Sequence, residues 1–246
     1  MAFIEIQHLQ KTYETENGLE NQALKDINFL VEKGEFIAIM GESGSGKSTL
    51  LNMMSGLDVP TNGEIIINGI HLENLEEDVA TKFRRDHIGF IFQNFNLLDI
   101  FDSKDNILLP VVISGKNIKN YENKLQSLAK KVGIKKSLNR FPYELSGGQM
   151  QRVAIARSLI LNPDLILADE PTGQLDSKTT IKIMHLLDDI HSEKKTILMV
   201  THSPNTASYA DKVLFIKDGI IFNQLSKGTD SSENFMKKII LSQSNL

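Results

Sequence analysis

The sequence predicts an α/β fold built on a mostly parallel β-sheet, and three observations favour it. Short apolar runs typical of buried parallel strands, "FIAIM", "LILAD" and "TILMV", alternate with helical patterns. A glycine-rich loop with a lysine follows the first run and leads into a helical pattern. The first fifty residues and "GEIIINGIHL" are instead rich in strand patterns and glycine turns, which predicts an antiparallel β subdomain packed on the parallel core.

The strands are expected in the following order. The stretch "FIEIQHL", from Phe3, alternates polar and apolar residues and predicts a half-buried strand. The runs that start at Phe36, Leu165 and Thr196 predict the buried strands. Near the end of the chain, "KDG" at Lys217–Gly219 predicts a hairpin turn between two short apolar runs.

The helical patterns are expected mainly in the middle of the chain. Residues 94–160 predict an inserted helical subdomain, and the tail from Ser231 predicts a short amphipathic helix. We therefore expect one domain over residues 1–225, with its helical lobe at about 94–160, and a C-terminal extension at 226–246. The apolar residues that carry these patterns are Leu125, Leu128, Ala129 and Val132, then Ile183, Leu186, Leu187 and Ile190, and in the tail Met236, Ile239 and Ile240.

Composition excludes several classes of protein. The 246 residues are 41% hydrophobic and 24% charged, which is ordinary for a globular protein. The net charge is −4, and the sequence does not show the strongly basic patch that is typical of nucleic-acid binders, so no nucleic-acid partner is expected. The absence of cysteine excludes disulfides and thiolate metal sites. No run reaches the roughly 18 apolar residues of a membrane span, and "MAFIEIQHLQ" does not resemble a signal peptide, so we expect contact with a membrane only through a partner.

The glycine-rich loop has the pattern of a phosphate-binding loop. "GESGSGKS" matches G-x-x-x-x-G-K-[ST], with a buried strand before it and a helical pattern after it. Backbone N–H groups and the positive end of a helix near Lys47 would surround a phosphate, the lysine would add a charge, and Ser48 would offer a hydroxyl to Mg²⁺. The expected nucleotide-binding residues here are Gly41, Ser43, Gly44, Ser45, Gly46, Lys47, Ser48 and Thr49.

Two acids at the end of the strand "LILAD" are expected to complete the reaction centre. Asp169 falls where a carboxylate can reach Mg²⁺, and Glu170 follows it directly. A carboxylate at that position can act as the general base that polarises an attacking water. Together with the loop, these acids predict hydrolysis of a nucleoside triphosphate.

A second glycine pair occurs in "LSGGQMQRV", which starts at Leu145. Ser146 and Gln149 have the spacing of a capping box, so a helix is expected to begin there and to present free N–H groups to an anion. Gly147 and Gly148 lie within this helix start. The residues alone leave two alternatives: this second site binds another ligand, or it faces the nucleotide held by a second copy of the chain.

The order of motifs resembles the ATP-binding subunit of an ABC transporter. "GESGSGKS", then Gln93, "LSGGQ", "LILADE" and His202 follow one another as in that family, and the resemblance extends from Ile4 to about Gln224. It implies an ABC ATP-binding domain on a P-loop NTPase core, with ATP and Mg²⁺ as ligands. It also implies a dimer in which each ATP lies between the phosphate loop of one subunit and the signature "LSGGQ" of the other.

The resemblance also implies individual roles. Tyr13 matches the aromatic residue that stacks on adenine, and His202 matches the histidine that contacts the γ-phosphate. Gln93 matches the glutamine that contacts Mg²⁺ and the attacking water, and Asp176 lies in the loop that crosses the dimer interface. Gln174 stands where the family often has a small residue, which leaves the packing of that loop open. The implied catalytic residues are Glu170, His202, Gln93 and Lys47, and the implied metal ligands are Ser48, Gln93 and Asp169.

Within the family, "GFIFQNFNLL" and "ADEPTGQLDSKT" resemble the macrolide-exporter and lipoprotein-release group, and "NLLDIFDSKDNILLP" is closer to bacitracin-type systems. The implied partners are a second ATP-binding subunit, expected to be identical, and a multi-spanning membrane permease. The implied location is the cytoplasmic face of the membrane. Phe95, Leu97 and Leu98 are candidate contacts with the permease.

Three functional readings remain open from the sequence. The first is a subunit that powers resistance to antimicrobial peptides or their export. The second is a lipoprotein- or lipid-extracting ATPase, or a cell-division regulator, of the same group. The third is a soluble P-loop ATPase without a membrane partner, and the chain lacks the coiled-coil insertion or second nucleotide domain that such proteins usually carry.

Overall fold

The computed structural model describes residues 2–14, 18 and 20–243. Within them lie ten strands and eight α-helices. The strands are β1 (Ile4–Glu14), β2 (Glu20–Val31), β3 (Phe36–Met40), β4 (Asn62–Ile67), β5 (Ile70–His71), β6 (Ile88–Ile91), β7 (Leu165–Asp169), β8 (Thr196–Val200), β9 (Lys212–Lys217) and β10 (Ile220–Ser226). The helices are α1 (Lys47–Met54), α2 (Glu77–His87), α3 (Ser103–Ile113), α4 (Glu122–Lys131), α5 (Gly147–Leu159), α6 (Ser177–Ser192), α7 (Pro204–Ala207) and α8 (Ser232–Gln243).

A six-stranded sheet forms the centre, with strand order β10-β9-β3-β8-β7-β6. Its pairs are parallel except β9–β10, which is the antiparallel hairpin predicted from "KDG". Every residue of β3 and β8 is buried, which explains why these strands read as unbroken apolar runs. The predicted parallel core is therefore confirmed.

Alternation along β3 divides the hydrophobic core into two layers. Phe36, Ala38 and Met40 face a cluster formed with α3, α4, α5, α6 and α8. Ile37 and Ile39 face the other way, toward α1 and the antiparallel sheet. Because successive side chains of a strand point to opposite faces, one five-residue run holds both layers together.

The antiparallel sheet has strand order β2-β1-β4-β5, as predicted from the strand-rich N-terminal third. Strand β1 is longer than the predicted stretch, because it continues to Glu14 through a series of register shifts against β2. Helix α2 was not predicted. It is strongly polar, with Phe83 as its buried residue, and so carries too few apolar positions for a helical period to be recognised.

The tail forms α8, but its apolar face differs from the prediction. Phe235 and Ile239 are fully buried in the main core, whereas Ile240 is 47% exposed and Met236 is partly exposed. Phe235 and Ile239 are four residues apart and therefore share one face of α8. This is the face that α8 buries where it packs against α7. The division into a domain at 1–225 and an extension at 226–246 stays a prediction.

The arrangement of the sheet determines where a site can form. The carboxyl ends of the neighbouring strands β3, β8, β7 and β6 lie at one edge. The phosphate loop follows β3, Glu170 follows β7, His202 lies two residues after β8, and Gln93 lies two residues after β6. Parallel pairing therefore assembles four segments that are distant in sequence.

Candidate nucleotide site

The phosphate loop closes around the start of α1. Gly46 is the residue before the helix and has φ of 103°, a left-handed conformation that disfavours any side chain. A Cβ at this position would also lie 2.6 Å from the carbonyl oxygen of Ala23 on β2. The glycine thus allows the helix start to lie against the antiparallel sheet, with its free N–H groups directed into the loop.

Lys47 is the first residue of α1 and is only 8% exposed. Its ammonium group donates to the carbonyl oxygen of Gly41 at 3.0 Å and to that of Glu42. Burial lowers the pKa of Lys47, and the nearby carboxylates of Glu170 and Asp169 act in the opposite direction. A buried cation held by neutral carbonyls is well placed to receive a polyanion.

A hydroxyl in the loop has unused hydrogen-bonding capacity. The Oγ of Ser45 is buried and has no hydrogen-bond partner among the described residues. Leaving such a group unpaired costs about 1–3 kcal/mol, so it fits a position that a ligand completes.

Asp169 and Ser48 form the pair expected to hold a metal ion. Burial raises the pKa of Asp169, and the charge of Glu170 raises it further, while Lys47 and a hydrogen bond with Ser48 lower it. The Ser48 hydroxyl acts on the pKa of the Asp169 carboxylate, and the Gln93 side chain lies 3.4 Å from the neighbouring Glu170. These groups supply the oxygen donors that Mg²⁺ prefers. The residues therefore fit the metal that the sequence analysis expects.

Glu170 connects the ends of three strands. Its Oε2 lies 3.2 Å from Nδ1 of His202 and 3.4 Å from Nε2 of Gln93. Its backbone N–H donates to Val200 at the end of β8, and its φ of 43° is unusual for a residue other than glycine. Strained backbone is commonest at functional sites, and here it directs the carboxylate toward the phosphate loop.

A cavity of about 460 Å³ lies over the loop. The sequence-predicted residues that line it are Tyr13, Ser43, Gly44, Gly46, Lys47, Ser48, Thr49, Glu170 and His202. Gly41 and Ser45 are buried within the loop, and Gln93 and Asp169 contact residues that line the cavity. Asn21 and Ala23 of β2 also line the cavity and were missed, because no pattern in "ENQALKD" distinguishes them.

The second glycine pair lies outside this cavity. Ser146, Gly147, Gly148 and Gln149 do not line it. The predicted capping box is confirmed: the Ser146 side chain accepts from the N–H of Gln149, whose side chain accepts from the N–H of Ser146. A Cβ at Gly148 would lie 2.4 Å from a methyl carbon of Thr179, so this glycine lets α5 approach α6 closely.

The loop before α6 also lies outside the cavity. The Asp176 carboxylate caps α6 by accepting from the backbone N–H groups of Lys178 and Thr179 at 2.9 and 3.0 Å. The sequence left the packing of this loop open at Gln174. In the structure the Gln174 amide donates to the side-chain oxygen of Asn94 at 2.6 Å. This bond joins the loop to the segment that carries Gln93.

Two residues of α5 connect this helix to the site and were not singled out from the sequence. The Gln151 side chain is fully buried and donates to the carbonyl oxygen of Pro171 at 2.7 Å. The Arg157 guanidinium donates to the carbonyl oxygens of Phe95 and Asn96, two residues with positive φ. Their position in the helix that begins at the "LSGGQ" motif was the available signal.

The comparisons with known proteins agree with this geometry. A family model described as "ABC transporter" matches residues 24–173. The chain is 45% identical to the bacitracin export ATP-binding protein BceA of Halalkalibacterium halodurans, over 99% of this chain and 96% of that protein. It is 43% identical to the macrolide export ATP-binding/permease protein MacB of Campylobacter jejuni, over 90% of this chain and 34% of that protein.

A solved structure with a similar fold is a dimer of the ATP-binding cassette MJ0796 of Methanocaldococcus jannaschii, in a post-hydrolysis state bound to ADP and Pi. The TM-score is 0.83 at 41% identity, and the match covers 91% of this chain and 98% of that one.

The raised pKa of Asp169 predicts that Asp169→Asn stabilises the ligand-free chain at pH 7. Because the folded state disfavours the ionised carboxylate, removing its charge should raise the unfolding midpoint at pH 7. The gain should shrink as the pH falls toward the ordinary aspartate pKa of 3.8 and disappear below it, where both the folded and the unfolded state bind the proton. Thermal unfolding from pH 4 to 8 measures it, with the exposed Asp99→Asn as control. A lower midpoint for Asp169→Asn alone would show that the charge stabilises the fold.

Proposed function

The chain belongs to the ABC transporter family and is an ATP-binding ATPase cassette, and from this premise we propose that it dimerises around two ATP molecules and powers a membrane permease at the cytoplasmic face of the membrane. The proposed task is resistance to antimicrobial peptides or their export. The observation that carries the proposal is the separation of two anion-directed helix starts. The start of α1 lines the nucleotide cavity, and that of α5 does not.

Within one half-site, the proposed roles follow from position. Lys47 neutralises charge on the β- and γ-phosphates, and Glu170 accepts the proton of the water that attacks the γ-phosphate. His202, at 3.2 Å from Glu170, holds that carboxylate in place and donates toward the γ-phosphate. Mg²⁺, held by Ser48, Gln93 and Asp169, would neutralise the charge that develops on the phosphate oxygens.

The other half of the site is proposed to come from a second copy. Ser146 and the first turn of α5 present a hydroxyl and free N–H groups, and within its own chain this helix start is outside the nucleotide cavity. Asp176, which caps α6, would lie at the same interface. The dimeric form of the similar cassette MJ0796 supports a head-to-tail pair.

A groove next to Gln93 is the proposed contact with the permease. Phe90, Pro110, Ile113 and Leu161 contribute to its apolar lining, and three arginines lie around it. Its volume is about 380 Å³, which suits a short amphipathic segment that carries an acidic side chain. MacB, whose name joins ATP-binding and permease functions in one protein, supports a permease as the occupant.

The expected contacts at Phe95 and Leu97 are corrected. Phe95 is 7% exposed and Leu97 packs on the main core, and Arg157 donates to the carbonyl oxygen of Phe95 in the same turn. Leu98 is 42% exposed but does not line the groove. Asn96 does line it, three residues after Gln93, so the groove remains adjacent to the reaction centre.

The peptide substrate is supported by the relative BceA, a bacitracin export ATP-binding protein that matches this chain over nearly the whole length of both. The match to MacB supports a macrolide as the second candidate. Both candidates use the same site in this chain, so the partner determines which of them is correct.

Glu170→Gln should bind ATP and fail to hydrolyse it. An amide cannot accept the proton, so kcat should fall by about 10²–10⁴-fold while the affinity for ATP is retained. The variant should then accumulate as an ATP-bound dimer in gel filtration with ATP and Mg²⁺. Glu193→Gln, which changes an exposed glutamate, is the control. Normal turnover, or a monomer with ATP bound, would contradict the proposal.

Sharing of the site predicts a specific result with mixed dimers. Lys47→Ala on one chain and Ser146→Arg on the other place both defects in one site and leave the second site intact. Both substitutions on one chain, paired with an unaltered chain, place one defect in each site. Nucleotide trapping should persist only in the first arrangement. Trapping only in the second arrangement would mean that each chain builds its own site.

The groove predicts that Ile113→Asp weakens the association with the permease. Ile113 is 67% exposed, so the charge should leave the unfolding midpoint within about 2 °C and act on docking instead. Co-purification with the permease measures the effect, and at least a tenfold loss is expected. Ile118→Asp, at an exposed isoleucine outside the groove, is the matched control. Equal recovery of the two variants would exclude the groove as the contact.

A further inference from the structure

Tyr13 is the aromatic residue of the nucleotide cavity, and two charged residues behind it contact its ring and hydroxyl. The Lys11 ammonium lies 4.8 Å from the centre of the ring. The Tyr13 hydroxyl donates to Oδ2 of Asp58 at 2.9 Å. Tyr13 lines the cavity, whereas Lys11 and Asp58 do not. The two charged side chains therefore reach the tyrosine without occupying the space of a ligand.

Asp58 and Lys11 also bind each other. The Lys11 ammonium donates to Oδ1 of Asp58 at 2.7 Å and to the carbonyl oxygen of Val59 at 2.8 Å. The Lys11 side chain is 13% exposed and that of Asp58 is 31% exposed, so water weakens this pair less than an ordinary surface pair. The three side chains form one network in which each contacts the other two.

Protonation states favour this network at neutral pH. Burial acts to raise the pKa of Asp58, but hydrogen bonds from Lys11 and Tyr13 outweigh burial and hold the pKa below its usual range. Burial and the neighbouring Asp58 raise the pKa of Tyr13, so its hydroxyl keeps the proton that it donates. The carboxylate is thus an acceptor and the phenol a donor.

The network is attached to the helix that starts in the phosphate loop. Asp58 lies four residues after the end of α1, and Thr61 in the same loop accepts from the backbone N–H of Thr12 at 3.0 Å. Thr49, in the first turn of α1, acts to lower the pKa of Tyr13, and both residues line the nucleotide cavity. The eight residues of α1 span about 12 Å, so one rigid element links the phosphate loop to the aromatic ring.

We propose that Asp58 and Lys11 are positioning residues for the nucleotide base: they hold the Tyr13 ring at a fixed height relative to the phosphate loop, with one face covered by Lys11 and the other open to a planar base. This inference rests on the proposed ATPase function and on the stacking of Tyr13 on adenine that the family resemblance implies. A tyrosine at the end of a strand is otherwise free to turn about two side-chain torsions, and fixing it in advance lowers the entropic cost of binding. The network makes the site favour a triphosphate that carries a base over a bare polyphosphate.

The test separates recognition of the base from recognition of the phosphates. We expect Asp58→Ala to raise the KM for ATP by about 5–10-fold and to leave kcat within twofold. The inhibition constant of inorganic tripolyphosphate, which has no base, should stay within twofold. Asp58→Asn keeps a hydrogen-bond acceptor for the Tyr13 hydroxyl, so its KM for ATP should lie closer to that of the unaltered chain than to that of Asp58→Ala.

Two further variants supply the controls. Tyr13→Phe keeps the ring and removes the hydroxyl, so it should raise the KM by itself and add little to Asp58→Ala. Asp86→Asn removes a carboxylate of similar exposure, 34%, that is paired with Arg85 and Lys116 away from the tyrosine, and should leave the KM unchanged.

Each contrary result has a distinct meaning. Equal changes in the KM for ATP and in tripolyphosphate inhibition would show that Asp58 supports the phosphate loop, which overturns the proposal. An unchanged KM in both Asp58→Ala and Tyr13→Phe would also overturn it, and so would an equal rise in Asp86→Asn. If Asp58→Ala unfolds, Tyr13→Phe alone decides. Failure of the unaltered chain to use ATP would instead refute the function on which the inference rests.

Discussion

The buried charge of Lys47 is the interaction on which the organisation of the site depends. A cation at 8% exposure disfavours its own charged state, and burial indeed lowers its pKa. The loop carbonyls that it contacts compensate only partly, and Asp169 at the end of β7 and Glu170 directly after it supply the opposite charge. A bound triphosphate would bring further negative charge to this ammonium group, and a metal ion held beside the same two acids would offset their repulsion of the phosphates. The glycines of the loop, the start of α1 and the parallel sheet all position this one ammonium group.

Glu170 is held in one position by its backbone and by its side-chain contacts. Its positive φ, its backbone bond to β8 and its contacts with His202 and Gln93 fix the carboxylate beside a group of like charge at Asp169. Two acids in sequence at a buried strand end repel each other, and this repulsion contributes to the raised pKa of Asp169. Two like charges held close together lower the stability of the folded chain. Such a loss of stability is common at sites that must bind charge.

Helix α5 connects the parts of the molecule that would have to act together. Its first turn carries the second anion-directed helix start, Gln151 binds the segment after Glu170, and Arg157 binds the turn after Gln93. Arg157 also lines the groove proposed for the permease. If the proposed dimer and permease contacts form, this helix would contact the partner's nucleotide, the reaction centre and the membrane protein, which would provide a physical route by which docking and hydrolysis affect each other. The contacts of α5 therefore describe the role of the helical lobe better than the residue bounds of the lobe do.

The sequence by itself determined the strands of the parallel core, the phosphate loop, the two acids at the end of β7 and the capping box at Ser146, because each depends on local periodicity or on residues adjacent in the chain. Tertiary structure alone decided which residues meet across long separations. The sequence could not show that Phe95 turns inward, that Phe235 rather than Ile240 faces the core, or that Lys11 and Asp58 meet at Tyr13. These outcomes depend on strand register, helix rotation and loop geometry, which are fixed by packing between elements. The spacing of residues within one segment specifies the motifs of that segment, whereas the positions of the segments relative to one another depend on the whole fold.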